Sequence, residues 1–198
     1  MPKDTAYQTA IDRAIASLEQ VDLAARCPAL GLPEPTDGTV RTRMFGMDVV
    51  LDCETFALCK ADGQPVKTAD LILFLHYLMC ERTVAATEDL IAFREFPGGQ
   101  FYLPTFKART TDILLGRFGN DLESLRKNLS RFDWESTTRG DLGARIHAYG
   151  NVHVTLLYHV GDDELPAEAS LLFDAASKRV LAAEDAAVLA SRICIGLL

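Results

Sequence analysis

The residues best suited to chemistry gather in two short stretches. The first, FREFPGGQFYLPTFKAR, runs from Phe93 to Arg109 and sets Arg94, Lys107 and Arg109 around a Pro-Gly-Gly corner, with Tyr102 between them. Guanidinium groups grip carboxylates and phosphates through paired N–H donors, and a helix N-terminus adds backbone donors for the same anion. Pro97 presets φ for the second position of a turn, and Gly98 can take the positive φ that a type II turn requires. A three-residue Pro97–Gly99 loop would make the stretch a hairpin. Phe93 would then lie opposite Leu103, and Arg94 opposite Tyr102 with its guanidinium on the ring. A helix opening at Pro104 would bring Lys107 and Arg109 nearby in its first turns. The expected anion site is therefore Arg94, Gly98, Gly99, Tyr102, Lys107 and Arg109. The competing reading is a purely structural hairpin in which Arg94 pairs with Glu95, because neither GxGxxG nor Walker-type spacing is present.

The second stretch, HVGDDE, places His159, Asp162, Asp163 and Glu164 within six residues. Carboxylates suit calcium or magnesium, and an imidazole adds affinity for transition metals, so these four residues are the candidate divalent-metal site. Their spacing is not that of an EF-hand loop, and acids after a glycine also favour a solvated turn. His147, His153 and His159 recur at six-residue steps. On a regular strand His153 and His159 share a face about 20 Å apart, too far for one metal. A two-residue Gly150-Asn151 turn would send His147 and His153 to opposite faces, leaving exposed strand histidines. His76, inside the most apolar segment, is expected to donate to a backbone or carboxylate partner. Asp141 reads as a cap. No GxSxG elbow or recognised cysteine signature supports nucleophilic catalysis.

The elements that must position these groups follow from periodicity. Ala10, Ile11, Ala14, Leu18 and Val21 form one helical stripe within residues 6–25, and the proline-rich 27–38 segment is expected to be loop. Residues 39–59 shift toward period two, as short antiparallel strands hinged at Gly46. KTADLILFLHYLMCERT reads as a helix with Thr68 as cap and Asp70 at the positive end of its dipole. DLIAFREF and QFYL are the hairpin arms; a helix from Pro104 should stop at Gly119, and another should start at Asn120 or Asp121. DWESTTRGD is expected to be loop. ARIHAY, VHVTLLYHV and AEASLLFD read as strands, and AEDAAVLASRICIGLL as a closing helix with Glu184 and Asp185 in its first turn. This ordering predicts an α+β fold, mostly antiparallel sheet packed with about five helices.

Composition narrows the classes. The chain has 198 residues, 48% hydrophobic and 24% charged, and one compact domain of residues 1–198 is expected. Lys+Arg 20 against Asp+Glu 28 leaves a net charge of -8. That balance argues against nucleic-acid and anionic-membrane partners, whose binding needs clustered cations. The longest apolar run, LILFLHYLMC, falls well short of the roughly 20 residues of a membrane span. The N-terminus has no apolar signal core. Cys27, Cys53, Cys59, Cys80 and Cys194 form no CxxC pair and read as buried thiols in a reducing cytoplasm.

LHYL, FREFPGGQFYLPTF, RGDLGA, GDDELPAEASLLFD and AAEDAAVLA follow one another in an order and spacing that resembles a bacterial and archaeal family catalogued as domain of unknown function 3786. The resemblance runs from near Tyr7 to the C-terminus. It implies no activity and no catalytic residue. Some members are joined to a cysteine-rich iron–sulfur module; this chain lacks such a cluster, so no cofactor is carried over. The expected function is a cytoplasmic accessory or sensor-like domain that binds a small anionic molecule or another protein at residues 93–109. The alternative is a metal-assisted enzyme using residues 159–164.

Overall fold

The computed structural model describes residues 2–81 and 89–198. Among them, α1 (Pro2–Leu18), α2 (Leu23–Ala29), β1 (Thr39–Met44), β2 (Met47–Asp52), β3 (Leu58–Lys60), α3 (Thr68–Leu78) and β4 (Leu90–Ala92) form the first half. The second half is α4 (Gly99–Arg109), α5 (Thr111–Phe118), α6 (Leu122–Leu129), β5 (Trp134–Thr137), β6 (Leu142–Tyr149), β7 (Val152–His159), β8 (Glu168–Asp174) and α7 (Ala183–Leu197). The strands form one sheet in the order β3-β2-β1-β6-β7-β8-β4, with β5 also pairing β6. All its pairings are antiparallel, so the fold is α+β.

Alternation along β6, β7 and β8 explains the central layer. Ala144, Ile146, Val154, Leu156, Tyr158, Leu171 and Phe173 turn to one face and are buried, because successive strand side chains point to opposite faces. Phe173 meets Phe96 and Phe106, with ring centroids 5.1 and 6.5 Å away, so α4 covers this face. Each such aliphatic side chain contributes roughly 1.5–3 kcal/mol by leaving water. The β1–β2 hairpin turns at Phe45 and Gly46, both with positive φ (51° and 75°), the backbone of a two-residue turn that matches strand twist. Phe45 tolerates it because its ring is buried edge-on against Tyr149.

Several local expectations are corrected. The N-terminal stripe breaks after Leu18, and a second helix starts at Asp22, whose Oδ1 accepts from the Ala24 and Ala25 amides at 3.0 and 3.3 Å. Part of the expected 27–38 loop is therefore helical, with Pro28 inside α2. Lys67, not Thr68, caps α3, without a side-chain bond. Asp70 is buried and ion-paired with Arg192 instead of serving only the helix dipole. The end of the expected α3 segment, Arg82 and Thr83, lies outside the described residues. DWESTTRGD contains β5, which pairs β6 from Trp134 to Thr137.

The largest correction falls on residues 93–109, which form no hairpin. β4 ends at Ala92, a 3₁₀ turn covers Phe93–Glu95, and α4 begins at Gly99. The glycines launch a helix. Gly98 sits at φ 79°, and a Cβ on Gly99 would lie 2.3 Å from the Phe93 carbonyl oxygen. Phe93 and Phe106 stack at 4.0 Å with planes 3° apart. Pro104 lies inside α4, and the expected single helix to Phe118 is two, broken at Thr110 (φ -133°, ψ -92°). Thr110 Oγ1 donates back to the Phe106 carbonyl at 2.6 Å.

Candidate functional site

Two concavities lie on opposite faces of the sheet. The first, about 390 Å³, opens between α4 and α7. Tyr102, Thr105, Phe106 and Arg109 line it from α4, spaced to share one helical face. From α7 come Glu184, Ala187, Val188, Ser191 and Arg192, again at steps of three and four. The small Ala187 and Ser191 leave the space; Phe93, Phe106 and Val188 make its walls mostly apolar. Arg192 is committed elsewhere. Its Nε and Nη2 both donate to Asp70, the latter at 2.7 Å, and its guanidinium lies 5.8 Å from the Phe45 ring. Arg109 has no ion pair among the described residues. A second tie, His76 Nδ1 to Asp185 at 3.0 Å, fixes the first turn of α7 on α3. The hydrogen bond to Asp185 raises the His76 pKa against the opposing effect of burial.

The second concavity, about 470 Å³, is polar and lies over β5, β6 and β7. Arg145, His147 and His153 line it, with Asp133, Trp134 and Glu135 at its side. Behind them Asp174 is 1% exposed. It accepts from Arg145 Nη2 at 3.2 Å, and its Oδ2 lies 3.7 Å from His153 Nδ1. Asp174 Oδ1 and His153 Nδ1 are buried without a hydrogen-bond partner. Burial raises the Asp174 pKa despite Arg145. Burial, then the charge of Arg145 and the neighbouring His147, lowers His153 to about 4. Asp133 is held from the other side by Arg43, at 2.6 and 3.0 Å.

A model of the family described as domain of unknown function (DUF3786) matches residues 22–195. The chain belongs to that family. No curated protein and no solved structure matches it. The family match starts after α1, later than the resemblance near Tyr7, and takes in both concavities.

In this DUF3786 protein, the anion-site residues read from sequence separate. Tyr102 and Arg109 meet in the α4–α7 cavity, whereas Arg94 and Lys107 are exposed elsewhere and Gly98 and Gly99 shape the start of α4. Arg94 does not face Tyr102 across a hairpin, because Tyr102 is helical. The α7 lining was missed, and its signal was the small-residue face of Ala183, Ala187 and Ser191. In HVGDDE, Asp162 Oδ1 accepts from the Glu164 and Leu165 amides, each at 2.8 Å. Those bonds lower its pKa and commit it to a turn. His159 Nδ1 lies 3.9 Å from Asp141 Oδ2, and Asp141 also accepts from the Val160 amide at 2.9 Å. Among the described residues, no three His, Cys, Asp or Glu side chains are placed to hold one metal ion, Asp163 and Glu164 included.

The strand histidines are also corrected. A bulge between His147 and Tyr149 adds one residue beside the two-residue turn, so His147 pairs with His153. Their rings lie 5.2 Å apart on one face, and neither is fully exposed. All five cysteines are free, and burial pushes Cys27 and Cys80 up to about 11, which makes both poor nucleophiles. At the C-terminus Ile193, Cys194 and Leu197 are buried in the protein's own core. No helix of the described residues is long and apolar enough to cross a membrane.

Proposed function

We propose that this protein is a binding domain whose α4–α7 cavity takes a small molecule with an apolar body and an acidic group. The observation that carries this reading is the mostly apolar cavity with one guanidinium, Arg109, that has no ion pair among the described residues. Phe93, Phe106 and Val188 would desolvate the body of the ligand, while Arg109 and the Tyr102 hydroxyl would take its acid. Its volume of about 390 Å³ lies within the range of roughly 300–1,000 Å³ typical of small-molecule sites. Glu184 is the carboxylate of the lining, and no imidazole or thiol lines it among the described residues; its mostly apolar wall is what favours binding. Five free cysteines favour the cytoplasm as its location.

Native mass spectrometry of freshly purified protein, beside a denatured control, tests for a retained ligand. Titration with octanoate and phenylpropionate then tests the class. Saturable binding is expected, weakened about tenfold in Arg109→Gln and blocked in Ala187→Trp. A bare mass together with no saturable binding of either acid would overturn the reading. A second reading has its own support: Phe101 and Tyr102 are 79% and 55% exposed beside the cavity mouth, and exposed aromatics anchor protein interfaces. Phe101→Ser would then abolish a protein contact and leave acid binding unchanged.

A further inference from the structure

We propose that the polar cleft over β5–β7 is a second binding site, for a small oxyanion held by Arg145, His147 and His153 and bound together with a proton. The three basic side chains converge there by strand register. Arg145 and His147 alternate along β6, and His153 pairs with His147 across the bulge. Asp174 acts as the positioning residue. Fully buried on β8, it holds Arg145 Nη2 from behind at 3.2 Å. A guanidinium carries five N–H donors; Asp174 takes one, and none of the others has a protein partner among the described residues. None is a buried orphan either, so they are open to the cleft that Arg145 lines. A fork anchored at one end and open at the other is the arrangement that grips two oxygens of a carboxylate, phosphate or sulfate.

The imidazoles supply the proton linkage. His147 Nε2 lies 2.8 Å from the Gly150 carbonyl oxygen, which fixes its ring. His153 is kept neutral by burial, by the positive Arg145 and by the adjacent His147. An anion among them would cancel that repulsion, and protonated His153 Nδ1 would gain the Asp174 carboxylate 3.7 Å away. Of the four buried side-chain atoms without a hydrogen-bond partner among the described residues, two, His153 Nδ1 and Asp174 Oδ1, lie at this junction. The other charged groups are Glu135, exposed on β5 opposite Arg145, and Asp133, neutralised by Arg43. The site is independent of the α4–α7 cavity, because Asp174 and Phe173 point to opposite faces of the sheet.

Sulfate is the probe for the pH arm, since its charge is constant between about pH 5 and about pH 8, where histidine titrates. Imidazole nitrogen NMR of the full chain should show saturable sulfate-dependent shifts at His147 and His153. Affinity should rise as pH falls, by at most about tenfold per pH unit for one coupled proton. Arg145→Lys should lose about tenfold in affinity, and His153→Gln should bind with a flattened pH dependence. Malonate and inorganic phosphate, titrated in parallel at about neutral pH, identify planar or tetrahedral oxyanions as the better occupant, and saturable binding of either supports the site. Absence of saturable shifts with all three anions would overturn the proposal. So would sulfate binding that leaves both imidazoles unmoved, or that is unchanged in a folded Arg145→Lys protein.

Discussion

Two histidines illustrate how one side-chain type takes opposite roles through its neighbours. His76 donates to Asp185 and its pKa is raised. Its stabilisation is therefore complete below the unfolded value of about 6.5 and is lost as pH rises through the folded value. His153 has no carboxylate within hydrogen-bond reach of Nδ1 and titrates at about 4. The unfolded chain then binds the extra proton between about 6.5 and about 4, so folding loses up to about 3 kcal/mol as pH falls across that window. Thermal midpoints across pH should separate the two. His76→Gln should lower the midpoint under mildly acidic conditions and converge on the parent at alkaline pH. His153→Gln should retain more stability in acid. Parallel pH curves for both variants and the parent would contradict these assignments. Asp70 on α3 is a carboxylate that reading by helix position alone assigns to the dipole, and the partly buried guanidinium that claims it lies on the last helix.

Among the elements, α7 is the piece on which the α4–α7 cavity depends. His76–Asp185 and Asp70–Arg192 tie it to α3, at its first turn and just past its middle. Asp70 is 1% exposed, so removing it alone would strand a largely buried guanidinium. Asp70→Leu is expected to cost about 3–5 kcal/mol, and the Asp70→Leu, Arg192→Met double variant should recover much of that, since matched apolar replacement removes both desolvation costs. Urea midpoints would check this; a single variant within about 1 kcal/mol of the parent would show that the pair holds nothing. Elements with strong local signals were legible in advance: the Gly150-Asn151 turn, the helix start at Asn120 or Asp121, the apolar α3 stripe and the acidic first turn of α7. The Pro-Gly-Gly corner was not. Its left-handed glycine serves a hairpin or a helix start equally well, and only the three- and four-residue steps among Phe93, Phe96, Gly99, Leu103 and Phe106 separate the two. Read that way, Tyr102 and Arg109 fall on one helical face and Arg94 drops out of the site.

At the scale of the molecule, what sequence could not convey is long-range register. The Arg145–Asp174 pairing spans 29 positions and depends on strand pairing plus a bulge beside Tyr149, neither of which leaves a local pattern. The same pairing explains where stability concentrates. β6 and β7 bury Ala144, Ile146, Ala148, Val154 and Leu156 at 0% exposure in the middle of the sheet. α1 buries only Ala14 and Leu18 among its described side chains, with Ile11 and Ile15 partly covered, and lies outside the family match. A helix with so few apolar anchors has little tertiary packing to oppose its opening, whereas central strand amides open only with most of the core. Hydrogen exchange followed by mass spectrometry should therefore show α1 exchanging first, as one unit, while β6 and β7 stay protected up to global unfolding. Protection of α1 equal to that of β7 would mean that the helix and the sheet unfold in a single cooperative step, and that α1, which packs against α3, carries far more of the stability than its two buried side chains imply.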